Sequence, residues 1–411
     1  MRAVVEGRLD PASDAFRVHI DRCLGCRACE PVCPSGVEYG TLLELARHTA
    51  AETAPPGLLT RALLVVMASP ILRGLFFALG RVARATGLAA LGARYLPGIP
   101  ALRSARFGLA MLAATEPARF VVRVDAEERT GPVVRDVRAS VALLEGCVQK
   151  GLYERVNRAT IRTLRANGFE TVAAEGQDCC GALHAHGGDL DRARALARRN
   201  IDAFEASGAE LVVVNAAGCG AAMKDYGTLL ASDGAYGARA RIFASRVRDV
   251  TELLAEAGPR TGAPIARSVA YDHPCHLLHA QRISRQPLQV LGAIPELDVR
   301  VVANSEECCG GAGIYGITHT DLGGWIGGDK VAAVHAVRAD AVTTPNPGCM
   351  MQIGAGLLLE GARGEVVHPV ELLDESYRLA GYYGGADAGA ATPSAGRDAG
   401  RNAHGGPKSD S

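Results

Sequence analysis

The sequence predicts an α/β protein: an N-terminal α-helical module and a helical linker, then two duplicated α/β subdomains with parallel strands. Three observations carry this reading. The 12 cysteines fall into three groups of four with none left over. The second and third groups repeat one another at a nearly constant offset. Between their cysteines, short β-branched runs alternate with longer helical stretches, the pattern of parallel α/β units. The 411 residues exceed one ordinary domain. A content of 48% hydrophobic against 21% charged residues is enough to bury a sizeable core. The expected boundaries are 1–50 for the first module, 51–135 for the linker, 136–262 and 263–378 for the two copies, and 379–411 for a disordered tail poor in large apolar residues.

The first module is defined by Cys23, Cys26, Cys29 and Cys33, after which no cysteine appears until Cys147. The run is C-x2-C-x2-C-x3-C followed by Pro34, the bacterial ferredoxin spacing for a [4Fe–4S] cluster. The two-residue gaps let one tight loop present three thiolates to one cluster. Pro34 ends the loop and sends Cys33 elsewhere, and in two-cluster ferredoxins that fourth cysteine serves the other cluster. No second copy of the run is present, so the expectation is a late start on a longer chain. The N-terminus has neither an apolar core nor a small-residue cleavage site, so it does not read as a secretory signal. Without export the thiols stay reduced, which favours metal ligands over disulfides.

In the linker, the most apolar stretch is 62–72, bounded by Arg61 and Arg73 and interrupted by Pro70. Eleven residues fall short of the roughly 20 that a bilayer requires. The expectation is a buried helix pair broken at Pro70, and the alternative is a surface that docks on a membrane or a partner. Lys+Arg and Asp+Glu are 44 each, which argues against a nucleic-acid binder.

The repeat follows. Cys147, Cys179, Cys180 and Cys219 correspond to Cys275, Cys308, Cys309 and Cys349 at offsets of 128, 129, 129 and 130. The unit is too long for a solenoid, so each copy is a subdomain. Strands are expected at 140–144, 211–215, 268–271, 299–302 and 341–344, and helices at 153–166, 189–206, 277–290 and 322–338. In parallel sheets ligands gather beyond the carboxyl ends of the strands, which brings distant cysteines together. Adjacent cysteines diverge, which suits two irons of one cluster better than a strained disulfide. Gly181 and Gly310 let the backbone turn close to that site.

The double C-x(31–32)-C-C-G-x(38–39)-C arrangement resembles the cysteine-rich CCG domain. With the first module and linker, the order is similar to that of the glycolate oxidase iron–sulfur subunit family. The phrases LEGCVQ, CCGALHAH, CCGGAGIYGITHTDL and NPGCMMQ carry the resemblance, which covers about residues 1–378. It implies that all 12 cysteines hold iron–sulfur clusters, with [4Fe–4S] at Cys23, Cys26, Cys29 and Cys33 and clusters of open type in the two CCG halves. It also implies FAD on partner subunits only, flavin-containing dehydrogenase subunits as partners, and a quinone or other electron acceptor. The implied location is cytoplasmic, with peripheral attachment to the inner face of the cell membrane as the variant. The implied role is electron transfer in glycolate oxidation. Subunits of D-lactate or anaerobic glycerol-3-phosphate dehydrogenases, a thiol-acting CCG protein and a redox-inert metal scaffold are the alternatives. The sequence departs from the family pattern twice. One ferredoxin run stands where two are expected. Ala222 and Gln352 occupy the place of a fifth cysteine that in some relatives supports a non-cubane cluster.

Gly311, Gly313 and Gly316 fit G-x-G-x-x-G but follow a cysteine pair rather than a strand, so the match is a decoy for dinucleotide binding. His184, His186, His273, His276, His279 and His319 crowd the cysteines and read as helix-end or supporting residues. Lys224, Asp225 and Tyr226 read as surface.

Overall fold

The computed structural model describes residues 1–117, 136–362 and 365–383. Eight strands form two four-stranded sheets: β1 (Ala139–Leu143), β2 (Phe169–Val172), β3 (Leu211–Val214) and β4 (Val247–Asp249), then β5 (Arg267–Tyr271), β6 (Leu297–Val301), β7 (Ala341–Thr343) and β8 (Val366–Val367). Their orders are β2-β1-β3-β4 and β6-β5-β7-β8, every pairing parallel. The identical order is the duplication in three dimensions. Val141, Val212 and Val213 in the first sheet and Val269, Ala270 and Tyr271 in the second are buried, as central parallel strands with both faces covered require.

The helices Glu154–Ala166, Leu190–Ala206 and Leu322–Val337 fall where the sequence places them. The expected helix 277–290 does not form as one piece. A π-type turn, His276–Ala280, is followed by a break at 281–285 and then the short helix Gln286–Leu291. Pro287 is the reason: it has no N–H to donate and suits only the first turn of a helix. Arg282 lies in the left-handed region at φ 58°.

One apolar core spans both halves, taking in Val141 and Val213 from one sheet and Val269 and Val342 from the other. The C-terminal helix Pro369–Leu379 clamps the halves together. Its Asp374 accepts a two-pronged bond from Arg162 at 2.8 and 2.5 Å, and its Glu371 pairs with Arg155 at 2.7 Å. Residues 379–383, which the sequence assigns to the tail, are ordered. Tyr382 donates to Thr261 O at 2.9 Å and Tyr383 to Asp374 at 2.8 Å. The rest of the expected tail, and linker residues 118–135, lie outside the described residues.

Asp249, at the end of β4, caps Val250–Ala257 by accepting from Thr251 N and Oγ1. It is fully buried, and burial pushes its carboxyl up to about 6. Between the ordinary value and about 6 the folded state holds a proton that the unfolded state has released, so stability falls as pH rises through this window. Asp249→Asn keeps a capping acceptor without the charge. The variant is expected to gain on the wild type from pH ~4 to ~6, by on the order of 3 kcal/mol. Paired urea titrations across that range check it.

In the linker, the helices Leu58–Ala68 and Pro70–Ala85 meet at 105°. The break at Pro70 is as expected, but the pair is not buried. Only Leu64, Met67 and Phe77 of its large side chains are enclosed, while Ile71 is 82% exposed. Among the described residues no single helix is long and apolar enough to cross a membrane.

Candidate iron–sulfur site

In each half, every cysteine lies just beyond the carboxyl end of a strand: Cys147 after β1, Cys179 and Cys180 after β2, Cys219 after β3, and likewise Cys275, Cys308, Cys309 and Cys349 after β5, β6 and β7. The topology therefore gathers four thiols from segments about 70 residues apart. Cys179 Sγ lies 3.5 Å from Cys147 Sγ, Cys275 Sγ 3.9 Å from Cys308 Sγ, and Cys309 Sγ 3.2 Å from Cys349 Sγ. Cys147, Cys179, Cys180, Cys275, Cys309 and Cys349 are buried. No disulfide is formed; all 12 cysteines are free thiols.

Among the described residues, no three His, Cys, Asp or Glu side chains surround a point suited to a lone metal ion. The thiols stand in contact pairs, so each set must part to hold a multi-iron group. Their chemistry fits such a group. The neighbouring Cys179 and Cys219 thiols, and then burial, push Cys180 well up, and contact with Cys179 followed by burial does the same for Cys147. These sulfurs cannot ionise together unaided. A cationic iron core bound by these residues would supply the missing countercharge, and binding as thiolates would release protons.

The Cys-Cys-Gly turns are held by a polar frame. Asn200 accepts from Asp178 N at 2.8 Å and donates to Cys179 O at 2.9 Å. Tyr226 donates to Cys180 O at 2.8 Å and is fully buried, so its assignment to the surface is corrected. Lys224 pairs with Glu252 at 2.8 Å, and Asp225 with Arg27 of the first module at 2.5 Å. In the second half Asn346 donates to Cys349 Sγ at 3.2 Å. In the first, Gln149 lies 3.7 Å from Cys219 Sγ. Such donors stabilise anionic sulfur. Asn200 was missed because nothing in its spacing marks it; Gln149 and Asn346 stood out only as neighbours of a cysteine, and Tyr226 only as a surface residue.

Gly310 shows how tight the turn is. Its φ is 81°, and a Cβ there would lie 2.6 Å from Gly323 O and 3.1 Å from Gly327 N. At Gly181 the nearest atoms, in Ala193, are 3.3 Å away. Gly310→Ala is expected to cost about 1–3 kcal/mol and to lower iron bound by the second half. Gly181→Ala should do less. Iron analysis and thermal melts of the two variants test the order. Gln352, in the fifth-cysteine place, is buried beside these glycines, its Nε2 donating to Gly323 O at 3.4 Å; Ala222 is half-buried.

The first module sits across the two halves. Arg47 donates to Cys23 O at 2.5 Å and to His186 O at 2.9 Å. Tyr315 donates to Arg22 O at 3.0 Å, and His319 pairs with Asp21 at 2.8 Å. The G-x-G-x-x-G segment thus leads into a contact with this module, and β6 has already ended at Val301. Burial pushes the Cys26 and Cys29 thiols up, and neighbouring thiols add to it: Cys275 and Cys23 at Cys26, Cys26 and Cys23 at Cys29. Cys33 stands apart, its thiol lowered by backbone N–H groups of Val37 and Ser35.

The histidines divide. His184 is buried, 3.2 Å from Asp189, and His186 pairs with Glu44 at 3.0 Å. His276 lies 3.4 Å from Cys275 Sγ, and burial pushes it down to about 3, so it stays neutral. His279 reaches Glu306 O at 2.8 Å, and His273 stands edge-on to Tyr271.

Comparison with known proteins agrees with this arrangement. The model of the CCG cysteine-rich domain matches residues 141–224 and 269–354. The chain is 34% identical over 392 residues to the probable glycolate oxidase iron–sulfur subunit of Bacillus subtilis, covering 92% of this chain and 86% of that one. It is 32% identical over 364 residues to the glycolate oxidase iron–sulfur subunit of Escherichia coli, covering 87% and 82%. It is also 31% identical over 240 residues to a fumarate reductase (CoM/CoB) subunit of Methanothermobacter marburgensis, covering 58% and 46%.

Proposed function

The chain belongs to the glycolate oxidase iron–sulfur subunit family, and from that premise we propose that it passes electrons from a flavin on a partner dehydrogenase subunit to a quinone-type acceptor during oxidation of glycolate. The observation that carries this is the delivery of two four-thiol sets, three of each four buried, to the same ends of two sheets of identical strand order, with a third cysteine group bridging them. Iron–sulfur clusters bound there would divide a two-electron oxidation into single-electron steps.

The residues proposed as ligands are Cys23, Cys26, Cys29 and Cys33 for [4Fe–4S], with Cys147, Cys179, Cys180 and Cys219, and Cys275, Cys308, Cys309 and Cys349, for the two halves. Asn346 and Gln149 direct N–H groups at the sulfurs. Six of the eight cysteines in the two halves are buried, which limits the access of water. The substrate chemistry is assigned to the flavin subunits, because hydride transfer is the chemistry of a flavin and the cysteine sets are proposed to hold one-electron centres.

Co-purification tests the proposal. Glycolate should reduce the iron–sulfur chromophore of the assembled complex and leave that of the isolated subunit unchanged. Reduction of the isolated subunit by glycolate would overturn it.

A further inference from the structure

We infer that the linker helices form a docking surface for a membrane carrying anionic phospholipid. Between Glu52 and Glu116 there is no Asp or Glu, whereas Arg61, Arg73, Arg81, Arg84, Arg94, Arg103 and Arg106 all fall in this stretch. The chain as a whole has a formal net charge of +0, so the positive charge is a local feature.

The helix Pro70–Ala85 is inside out. Its polar side faces the protein: Arg73 pairs with Asp178 at 2.5 Å, Arg81 donates to Gly151 O at 2.9 Å and Arg84 to Thr115 Oγ1 at 2.7 Å. Phe77 is buried on the same side. Its outer side presents Ile71, Leu72, Leu75, Phe76, Leu79 and Val82 to solvent, one continuous stripe at helical spacing. Leu58, Leu59 and Val65 before it, and Leu88, Leu91 and Tyr95 after it, extend the exposed apolar surface. Exposed Arg61, Arg94 and Arg103 add charge along these helices.

A solvated helix does not turn its arginines inward and its leucines outward, so this face requires a cover. A protein interface carries about one hydrogen bond per 100–200 Å². The six side chains of the outer stripe offer no hydrogen-bonding group. An exposed apolar stripe, in a stretch of sequence that carries arginines and no acids, fits the boundary between acyl chains and anionic headgroups. The helices have 11 and 16 residues and meet at 105°, so they suit lying in that boundary rather than crossing it.

The test is sedimentation of the intact subunit, alone and with its flavin subunits, with vesicles of phosphatidylglycerol and phosphatidylcholine in equal parts, or of phosphatidylcholine alone. The wild type should sediment with the anionic vesicles and markedly less with the neutral ones. Leu75→Glu/Leu79→Glu should weaken that binding at least about tenfold, while iron content and bleaching by dithionite stay at wild-type levels. Arg61→Glu/Arg94→Glu should reduce the preference for anionic lipid. These readouts separate the surface from the electron-transfer reading, which rests on the iron signals alone. The inference is overturned if the wild type stays in the supernatant with both vesicles, or if the Leu75/Leu79 variant sediments as well as the wild type. It is also overturned if that variant loses the flavin subunits instead of the vesicles, which would make the face a protein interface.

Discussion

Cys309→Ser is expected to remove the cluster of the second half, on the order of four iron atoms per chain if that cluster is a cubane. Cys309 is buried, with its sulfur 3.2 Å from Cys349. No other thiol can replace it: Cys308 points its sulfur to Cys275, and Gln352 stands where a fifth cysteine would be. Changes to residues that only support a ligand commonly cost 10–100-fold in metal affinity, so loss of the ligand itself should exceed about tenfold. Electron flow through the assembled complex should fall with it. Cys33→Ser is the contrast. Its thiol stands apart from the two buried sets, so it should leave their iron in place. Iron and sulfide analysis of the two variants, purified without oxygen, distinguishes them.

Arg162→Met is expected to give the largest loss of stability, about 3–5 kcal/mol. Arg162 and Asp374 are both buried, and together they join helix Glu154–Ala166 of the first half to the C-terminal helix. Removing the guanidinium leaves a buried carboxylate that, among the described residues, keeps the bond from Tyr383. Burial already raises Asp374 above its ordinary value, and loss of Arg162 raises it further. Arg162→Met/Asp374→Leu should recover most of the loss, because removing both charges also removes the desolvation penalty. Urea midpoints of the single and double variants measure the difference.

The central strands were legible and the edge strands less so. The runs at β1, β3, β5 and β7 sit inside their sheets and read as continuous apolar segments. The missed strands, Phe169–Val172, Val247–Asp249 and Val366–Val367, are all edge strands of two to four residues. An edge strand is covered on fewer sides, so its sequence carries little of the β-branched run that marks a buried one. The expected helix at 277–290 failed on a local signal, Pro287, that outweighs apolar spacing. The cysteine sets could be inferred because ligand identity and spacing survive in the sequence. The supporting frame could not, because Asn200 and Tyr226 reach backbone carbonyls from other segments. Exposure of the linker helices was hidden for a related reason: their composition is that of a core, and only the direction each side chain faces tells the two apart.

The central claim is that the cysteine sets hold redox-active iron–sulfur clusters. The most direct measurement is a dithionite titration of the isolated subunit, purified without oxygen, followed by its visible absorbance and electron paramagnetic resonance. Reversible bleaching, with paramagnetic signals that disappear on reoxidation by a quinone, is the predicted result. A chain that binds no iron, or one whose iron–sulfur absorbance does not respond to dithionite, would contradict it.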